Sequence, residues 1–270
     1  MKLSQLTREL KSSGIENARG EAYTLFSHFG HMRREDMIGT DPEIDDALIA
    51  DALSRRLKRE PLQHIIGSVD FYREHYRVSP DCLIPREDTE ILVDLAVKNI
   101  PEGARFVDLC TGSGCVAIST LNNTKSTTAV AVDISEGALA MARINAEENG
   151  VCDRLELLCQ DALCDAVDGE IFAVLSNPPY IREEVYPTLE PELFFEPRIA
   201  LVGFGEEGAG FYDRITALYR DKIAKDGFLA YEIGYDQADI LIRIAEKYSM
   251  TAEIIKDFSH NPRVAVLRRK

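Results

Sequence analysis

The chain has 270 residues, 45% apolar and 29% charged, with 31 Lys and Arg against 46 Asp and Glu and a formal net charge of −15. Such a composition excludes a disordered tail and can fill one large or two modest domains. Its negative charge argues against a broad electrostatic grip on nucleic acid or anionic lipid, which requires cationic side chains against phosphates.

In chain order, residues 1–60 read as an all-helical domain, with one helix ending near Gly14 and a second near Gly30. Asp41 followed by Pro42 predicts an N-cap with proline at the first helical position, and Ile44, Ala47, Leu48, Ala50, Leu53 and Leu57 then recur near the helical period. Residues 61–88 carry Phe71, Tyr72, Tyr76 and Val78 before Ser79-Pro80-Asp81, the texture of a β-hairpin linker.

From Thr89 to Lys270 the pattern alternates. Helices are expected over 89–99, 114–121, 136–149, 209–225 and 237–248. Strands are expected over 105–110, 127–132, 155–159, 171–176 and 228–233, with two more near Glu253 and Val264. This is an α/β pattern: a mostly parallel sheet covered on both faces, with ligands beyond the carboxyl ends of the strands. The cysteines at 82, 110, 115, 152, 159 and 164 lack both C-x-x-C spacing and a companion histidine, so they read as reduced thiols and no metal site is expected. Residues 1–14 lack the apolar core of a signal peptide, and no stretch approaches the roughly 20 apolar residues of a membrane span. A cytoplasmic protein without a membrane partner is expected.

The first strand of the alternating region runs into Asp108-Leu109-Cys110-Thr111-Gly112-Ser113-Gly114-Cys115, and the second ends at Asp133. Two readings compete. Gly112-x-Gly114-x-x-Ala117 passes as a dinucleotide fingerprint with Asp133 on a ribose. The same loop suits S-adenosylmethionine, a cationic sulfonium, and Asp108 beside the glycines favours that reading because it would repel a pyrophosphate. Asp161, after Gln160, stands where it can accept from an adenine amino group, or is simply a solvated loop residue. Gly203-Phe204-Gly205-Glu206-Glu207-Gly208 makes a poor phosphate cradle and reads as a flexible loop over the site. Glu232, at the end of the fifth strand of this region, can be a site residue, with a charged strand terminus the simpler reading.

Asn177-Pro178-Pro179-Tyr180 ends the fourth strand. Neither proline has an N–H, so the turn is stiff and presents carbonyl acceptors. Asn177 adds a side-chain acceptor and Tyr180 a flat face, so the wall suits the NH2 of a planar amide or nucleobase.

These residues resemble a family, the N5-glutamine methyltransferases that modify the Gly-Gly-Gln glutamine of class-1 peptide-chain release factors. The resemblance rests on Pro61-Leu62-Gln63-His64-Ile65-Ile66-Gly67, Leu83-Ile84-Pro85-Arg86-Glu87-Asp88-Thr89-Glu90, the Thr111–Cys115 loop, Asn177–Tyr180 and Glu196-Pro197-Arg198-Ile199-Ala200-Leu201. It implies a Rossmann-like class I methyltransferase sheet over residues 89–270. It also implies an N-terminal helical domain that helps seat the release factor. S-adenosyl-L-methionine is the implied donor and S-adenosyl-L-homocysteine the product. By resemblance, Thr111, Gly112, Ser113, Gly114 and Cys115 hold the methionine part, Asp133 the ribose, and Asp161 and Ala162 flank the adenine. Asn177, also beside the donor, and Pro178 grip the substrate amide, with Pro179 and Tyr180 completing its wall; Arg86 and Thr89 are implied to help close the site. The sequence departs from the family at His64 and in the loop Glu206–Gly210.

Among amino-group methyltransferases the substrate choice lies between protein and nucleic acid. Glu183, Glu184, Glu190, Glu192, Glu196, Glu206 and Glu207 stand against Arg182 and Arg198 near the substrate loop. Such a rim would repel phosphates and suit a basic protein domain. Together with the resemblance, which implies a release factor, this makes a release factor without direct nucleic-acid contact the expected substrate, with a ribosomal protein next and an RNA or DNA adenine less favoured.

Overall fold

Continuous apolar runs of five or six residues, bounded by turn formers, make strands buried on both faces. The computed structural model describes residues 1–270 and divides into two units. One is Met1–Gly67 with Glu190–Phe195; the other is Ser68–Leu189 with Glu196–Lys270.

The larger unit opens with a hairpin, β1 (Ser68–Phe71) and β2 (Glu74–Arg77). Its sheet comprises β3 (Arg105–Leu109), β4 (Thr128–Asp133), β5 (Leu155–Cys159), β6 (Ile171–Ser176), β7 (Ile223–Glu232), β8 (Met250–Lys256) and β9 (Pro262–Arg269). The order is β5-β4-β3-β6-β7-β9-β8, parallel from β5 to β7, with β9 antiparallel to both neighbours. Alternation along the strands builds two cores. Val107, Leu109, Val174 and Tyr231 pack with Tyr212, Ile215 and Leu241 from the helices Gly210–Tyr219 and Ala238–Lys247. Phe106, Ala173, Leu175 and Phe228 pack with Leu92, Val93 and Ile118 from Glu90–Asn99 and Cys115–Asn122. No helix is long and apolar enough to cross a membrane.

The chain builds outward from β3 through β4 to β5, then returns to place β6 on the other side of β3. The order reverses between β3 and β6, and in open α/β sheets the crevice at such a reversal receives the ligand. One expected boundary is corrected here. The helix expected over 209–225 stops at Tyr219, because Ile223 enters β7 beside Ile171. Gly227 permits that irregular edge: a Cβ there would lie 2.3 Å from the Phe172 carbonyl oxygen.

In the helical unit, Leu6, Leu10, Leu25, Phe26 and Ile49 form a separate core. The Asp41-Pro42 helix start is not observed. The helix begins at Asp46, with Asp45 as its cap accepting from the Ala47 N–H. Asp41 instead accepts from the Ser4 backbone N–H at 2.7 Å and hydroxyl at 2.8 Å, satisfying a free donor in the first turn of Leu3–Ser12. The Pro42 carbonyl is drawn there too, accepting from the Leu3 N–H at 3.0 Å.

Arg56, only 4% exposed, is the charged centre of this unit. Its guanidinium donates to both carboxylate oxygens of Glu21, at 2.6 and 3.0 Å, and to Glu192 at 2.9 Å. Removing one member of a buried ion network strands the others without compensation. Arg56→Ala is expected to lower stability by about 3 kcal/mol in urea unfolding of the full chain; a loss below about 1 kcal/mol, the level of an exposed pair, contradicts this assignment.

Candidate active site

Asp108 is the next-to-last residue of β3 and is 1% exposed. Cys110, Gly112 and Gly114 follow with φ of 59°, 56° and 82°, left-handed positions that turn the chain into the helix Cys115–Asn122. At Gly114 a Cβ would also meet Ile118 Cδ1 at 2.9 Å and Ala142 Cβ at 3.2 Å. Asp108 Oδ2 accepts from the Thr111 hydroxyl at 2.5 Å and the Ala117 N–H at 3.2 Å, binding the helix's first turn to the strand. Burial pushes its carboxyl up to about 7, against those two bonds and helped by the nearby Asp133 charge.

Asp133 ends β4. One oxygen accepts from the Gly112 N–H and the other from the Ser135 N–H, both at 2.9 Å. Burial raises its pKa while these backbone donors oppose the rise. A carboxylate has about four acceptor sites, so these backbone donors, with the Ile134 N–H nearby, fix its plane and still leave capacity for a further donor such as a ribose hydroxyl. Asp161, after β5, accepts from the Leu163 N–H at 2.9 Å and the Cys164 thiol at 3.2 Å.

These strand ends share one cavity of about 250 Å³. Thr111, Gly112, Ser113, Cys115, Asp133, Asp161, Ala162, Asn177 and Pro179 line it, as does Asp108. Gly114, Pro178 and Tyr180 are not on its wall; Gly114 lies behind the loop as the helix N-cap. The segment taken as a hairpin linker supplies another wall through Cys82, Pro85 and Arg86, continued by Thr89 at the start of the alternating region. Arg86 is the one cationic side chain in the lining, and it is paired with Glu196, which also accepts from the Ile84 N–H at 2.8 Å. With Asp133 and Asp161 in the lining, Asp108 buried beside them and the one arginine neutralised by Glu196, the cavity suits a cationic ligand better than a pyrophosphate. Burial pushes the Cys82 thiol up to about 11 and those of Cys110 and Cys115 well above the ordinary range, so none is a thiolate nucleophile at neutral pH.

Asn177 Nδ2 donates to the Thr89 hydroxyl at 3.2 Å, and that hydroxyl donates to Glu232 Oε2 at 2.5 Å. The Tyr180 hydroxyl donates to Glu232 Oε1 at 3.2 Å. Glu232 does end a strand, but it is a partnered, buried carboxyl and not a plain charged terminus. It is 2% exposed at the end of β7, and burial raises its pKa against the Thr89 bond and the field of Arg263. Sequence reasoning raised Glu232 as a site residue but preferred the simpler reading, although a lone acid closing the apolar run Phe228–Tyr231 is the signal of a buried, partnered carboxyl.

The glycine loop is also corrected. It does not cover the cavity; it packs behind the proline turn. A Cβ at Gly203 would lie 2.7 Å from the Pro179 oxygen, and one at Gly208 (φ +76°) 2.4 Å from the Tyr180 oxygen. Gln237 Nε2 ties the two segments, donating to the Tyr180 carbonyl at 3.3 Å and the Glu207 carbonyl at 2.7 Å. The acidic rim is largely neutralised as well. Glu196 pairs with Arg86, Glu192 with Arg56 and Arg59, Glu183 with Arg198, Glu184 with Arg182, and Glu206 and Glu207 with Arg243. Most of these arginines are distant in sequence, which is why a local charge count overstates the rim.

Residues 87–205 match the family described as methyltransferase small domain, and residues 2–67 match the PrmC N-terminal domain. The chain is 35% identical over 266 residues to the release factor glutamine methyltransferase of Caulobacter vibrioides, covering 95% of this chain and 91% of that protein. It is 33% identical to the protein of the same name from Thermodesulfovibrio yellowstonii, covering 100% of this chain and 99% of the relative. In structure it is similar to the ribosomal protein L11 methylase of Lactobacillus delbrueckii subsp. bulgaricus, with a TM-score of 0.51 and 19% identity over 68% of this chain and 80% of the other, a likeness of fold alone.

Two outcomes test this geometry. Gly208→Ala places a methyl group against the Tyr180 carbonyl in a left-handed backbone and is expected to cost about 1–3 kcal/mol in denaturant unfolding; wild-type stability would mean the loop does not bear on the turn. Asp108, raised from 3.8 to about 7, holds a proton in the folded state that the unfolded chain has released, so its contribution makes stability fall as pH rises from about 4 to about 7. Unfolding across that range should show a shallower fall in Asp108→Asn than in the wild type, and parallel curves would contradict the shifted carboxyl.

Proposed function

This chain belongs to the release factor glutamine methyltransferase family, and on that premise we propose that it transfers a methyl group from S-adenosyl-L-methionine to the side-chain amide nitrogen of the Gly-Gly-Gln glutamine in class-1 release factors. The observation that carries the proposal is that Asn177, an amide acceptor, lines the same carboxylate-rich cavity as Thr111–Ser113, Asp133 and Asp161. The donor supplies an electrophilic methyl on a positively charged sulfur. Thr111, Gly112, Ser113 and Cys115 would hold its methionine part with Gly114 shaping the turn, Asp133 its ribose hydroxyls, and Asp161 and Ala162 its adenine.

The difficulty of the reaction lies in the acceptor, because an amide nitrogen's lone pair is delocalised into its carbonyl. The Asn177 Oδ1 and the Pro178 carbonyl each take one N–H of the substrate amide, which holds the nitrogen and lets it pyramidalise. Pro179 stiffens the turn, and Tyr180, tethered to Glu232, sets its ring against the amide plane. Orientation of this kind can supply on the order of 7–11 kcal/mol of a barrier. No base of high strength is needed, since the nitrogen becomes acidic once methylated. The same acceptors exclude glutamate, whose carboxylate would face unpaired oxygens. The helical unit would seat the protein substrate, and no direct nucleic-acid or membrane contact is part of this reading.

The test is incubation with labelled S-adenosylmethionine and either a recombinant class-1 release factor or naked ribosomal RNA. One methyl on the Gly-Gly-Gln glutamine is expected; label on RNA with none on the factor would reverse the reading. Asn177→Ala should lower turnover by about 10²-fold or more while donor affinity measured by calorimetry stays within about threefold. Undiminished turnover would mean that the substrate amide binds elsewhere.

A further inference from the structure

The hydrogen bonds behind Asn177 have a polarity. Glu232 as a carboxylate only accepts, and it takes hydrogens from the Thr89 hydroxyl at 2.5 Å and the Tyr180 hydroxyl at 3.2 Å. A hydroxyl has one hydrogen. With it committed to Glu232, Thr89 Oγ1 offers only lone pairs to its other neighbour. Asn177 must then face Thr89 with its NH2, as the 3.2 Å bond from Nδ2 records. A planar amide that turns its nitrogen one way turns its oxygen the other. The arrangement is buried, with Thr89 1% and Glu232 2% exposed, so water does not scramble it.

We infer that Glu232 and Thr89 form a polarity relay that holds the Asn177 amide with Oδ1 toward the substrate, making Glu232 a positioning residue that selects an NH2-bearing substrate without touching it. This rests on the reading of the site as a carboxamide methyltransferase. The relay gives the fold a reason to end β7 in an acid: a neutral acceptor of mixed character would let the asparagine turn over, and the site would then offer an NH2 to the substrate NH2. It also joins three separate segments, the turn before Glu90–Asn99, the end of β6 and the end of β7, in one determination of the acceptor's orientation.

Three variants test it. Thr89→Val removes the hydroxyl at nearly constant volume. Glu232→Met removes the acceptor and frees the Thr89 hydrogen to turn toward Asn177 Oδ1. Thr89→Ser restores the hydroxyl. Turnover of the release factor is expected to fall by about 10²-fold in the first two, with donor affinity within about threefold of wild type, and to return in Thr89→Ser. The double variant should be no slower than the worse single one, since both act through the same amide. Independently of any substrate, the Asn177 side-chain ¹⁵N–¹H resonances, assigned with Asn177→Asp, should move in Thr89→Val and Glu232→Met and hold in Thr89→Ser. Resonances that stay in place in Glu232→Met, or donor affinity that falls as far as turnover, would overturn the relay. A wild-type protein inactive on release factors would overturn the functional reading instead, and the resonance experiment would still decide the relay.

Discussion

The reversal of strand order between β3 and β6 is the constraint on which the rest depends. Parallel strands deliver their carboxyl ends to one edge of the sheet, and the reversal opens a crevice there that neither neighbouring connection fills. Asp108, Asp133, Asp161, Asn177 and Glu232, from five consecutive positions across the sheet, then come to one edge although they span 125 residues of sequence. The apolar cores on the two faces carry the stability, so the edge is free to hold buried carboxyls that would be costly without hydrogen-bond partners.

Each of those acids is made tolerable differently, and the difference assigns its work. Asp133 is held by two backbone N–H groups and keeps acceptor capacity facing the cavity. Asp108 is spent on the first turn of Cys115–Asn122, and burial raises its carboxyl to about 7 at the cavity wall. Glu232 is wrapped by hydroxyls and does not line the cavity at all. Carboxylates facing the cavity and the buried acid behind Asn177 are thus separate groups.

Strands β3, β5 and β6 and the loop residues were legible in the sequence because short apolar runs, left-handed glycines and a double proline are local signals. Long-range partners were not. Asp41 looked like the cap of its own helix and serves Ser4 instead, and the 209–225 helix was cut short by strand pairing with Ile171. The glutamates near the substrate loop looked unopposed because Arg56, Arg59, Arg86 and Arg243 lie far from them in the chain. The same limit hid the partners of Glu232, whose role depends on Thr89 and Tyr180. The wall formed by Cys82–Thr89 was visible only as a family motif, since nothing in its composition says that a linker will face a cavity.

A co-crystal structure with S-adenosyl-L-homocysteine and a Gly-Gly-Gln peptide tests the central claim most directly. The account expects the ribose on Asp133, the adenine beside Asp161 and Ala162, and the thioether sulfur directed at a glutamine amide nitrogen held by the Asn177 side-chain oxygen. A nucleoside outside this crevice, or an Asn177 oxygen turned toward Thr89 with the amide bound elsewhere, would contradict it.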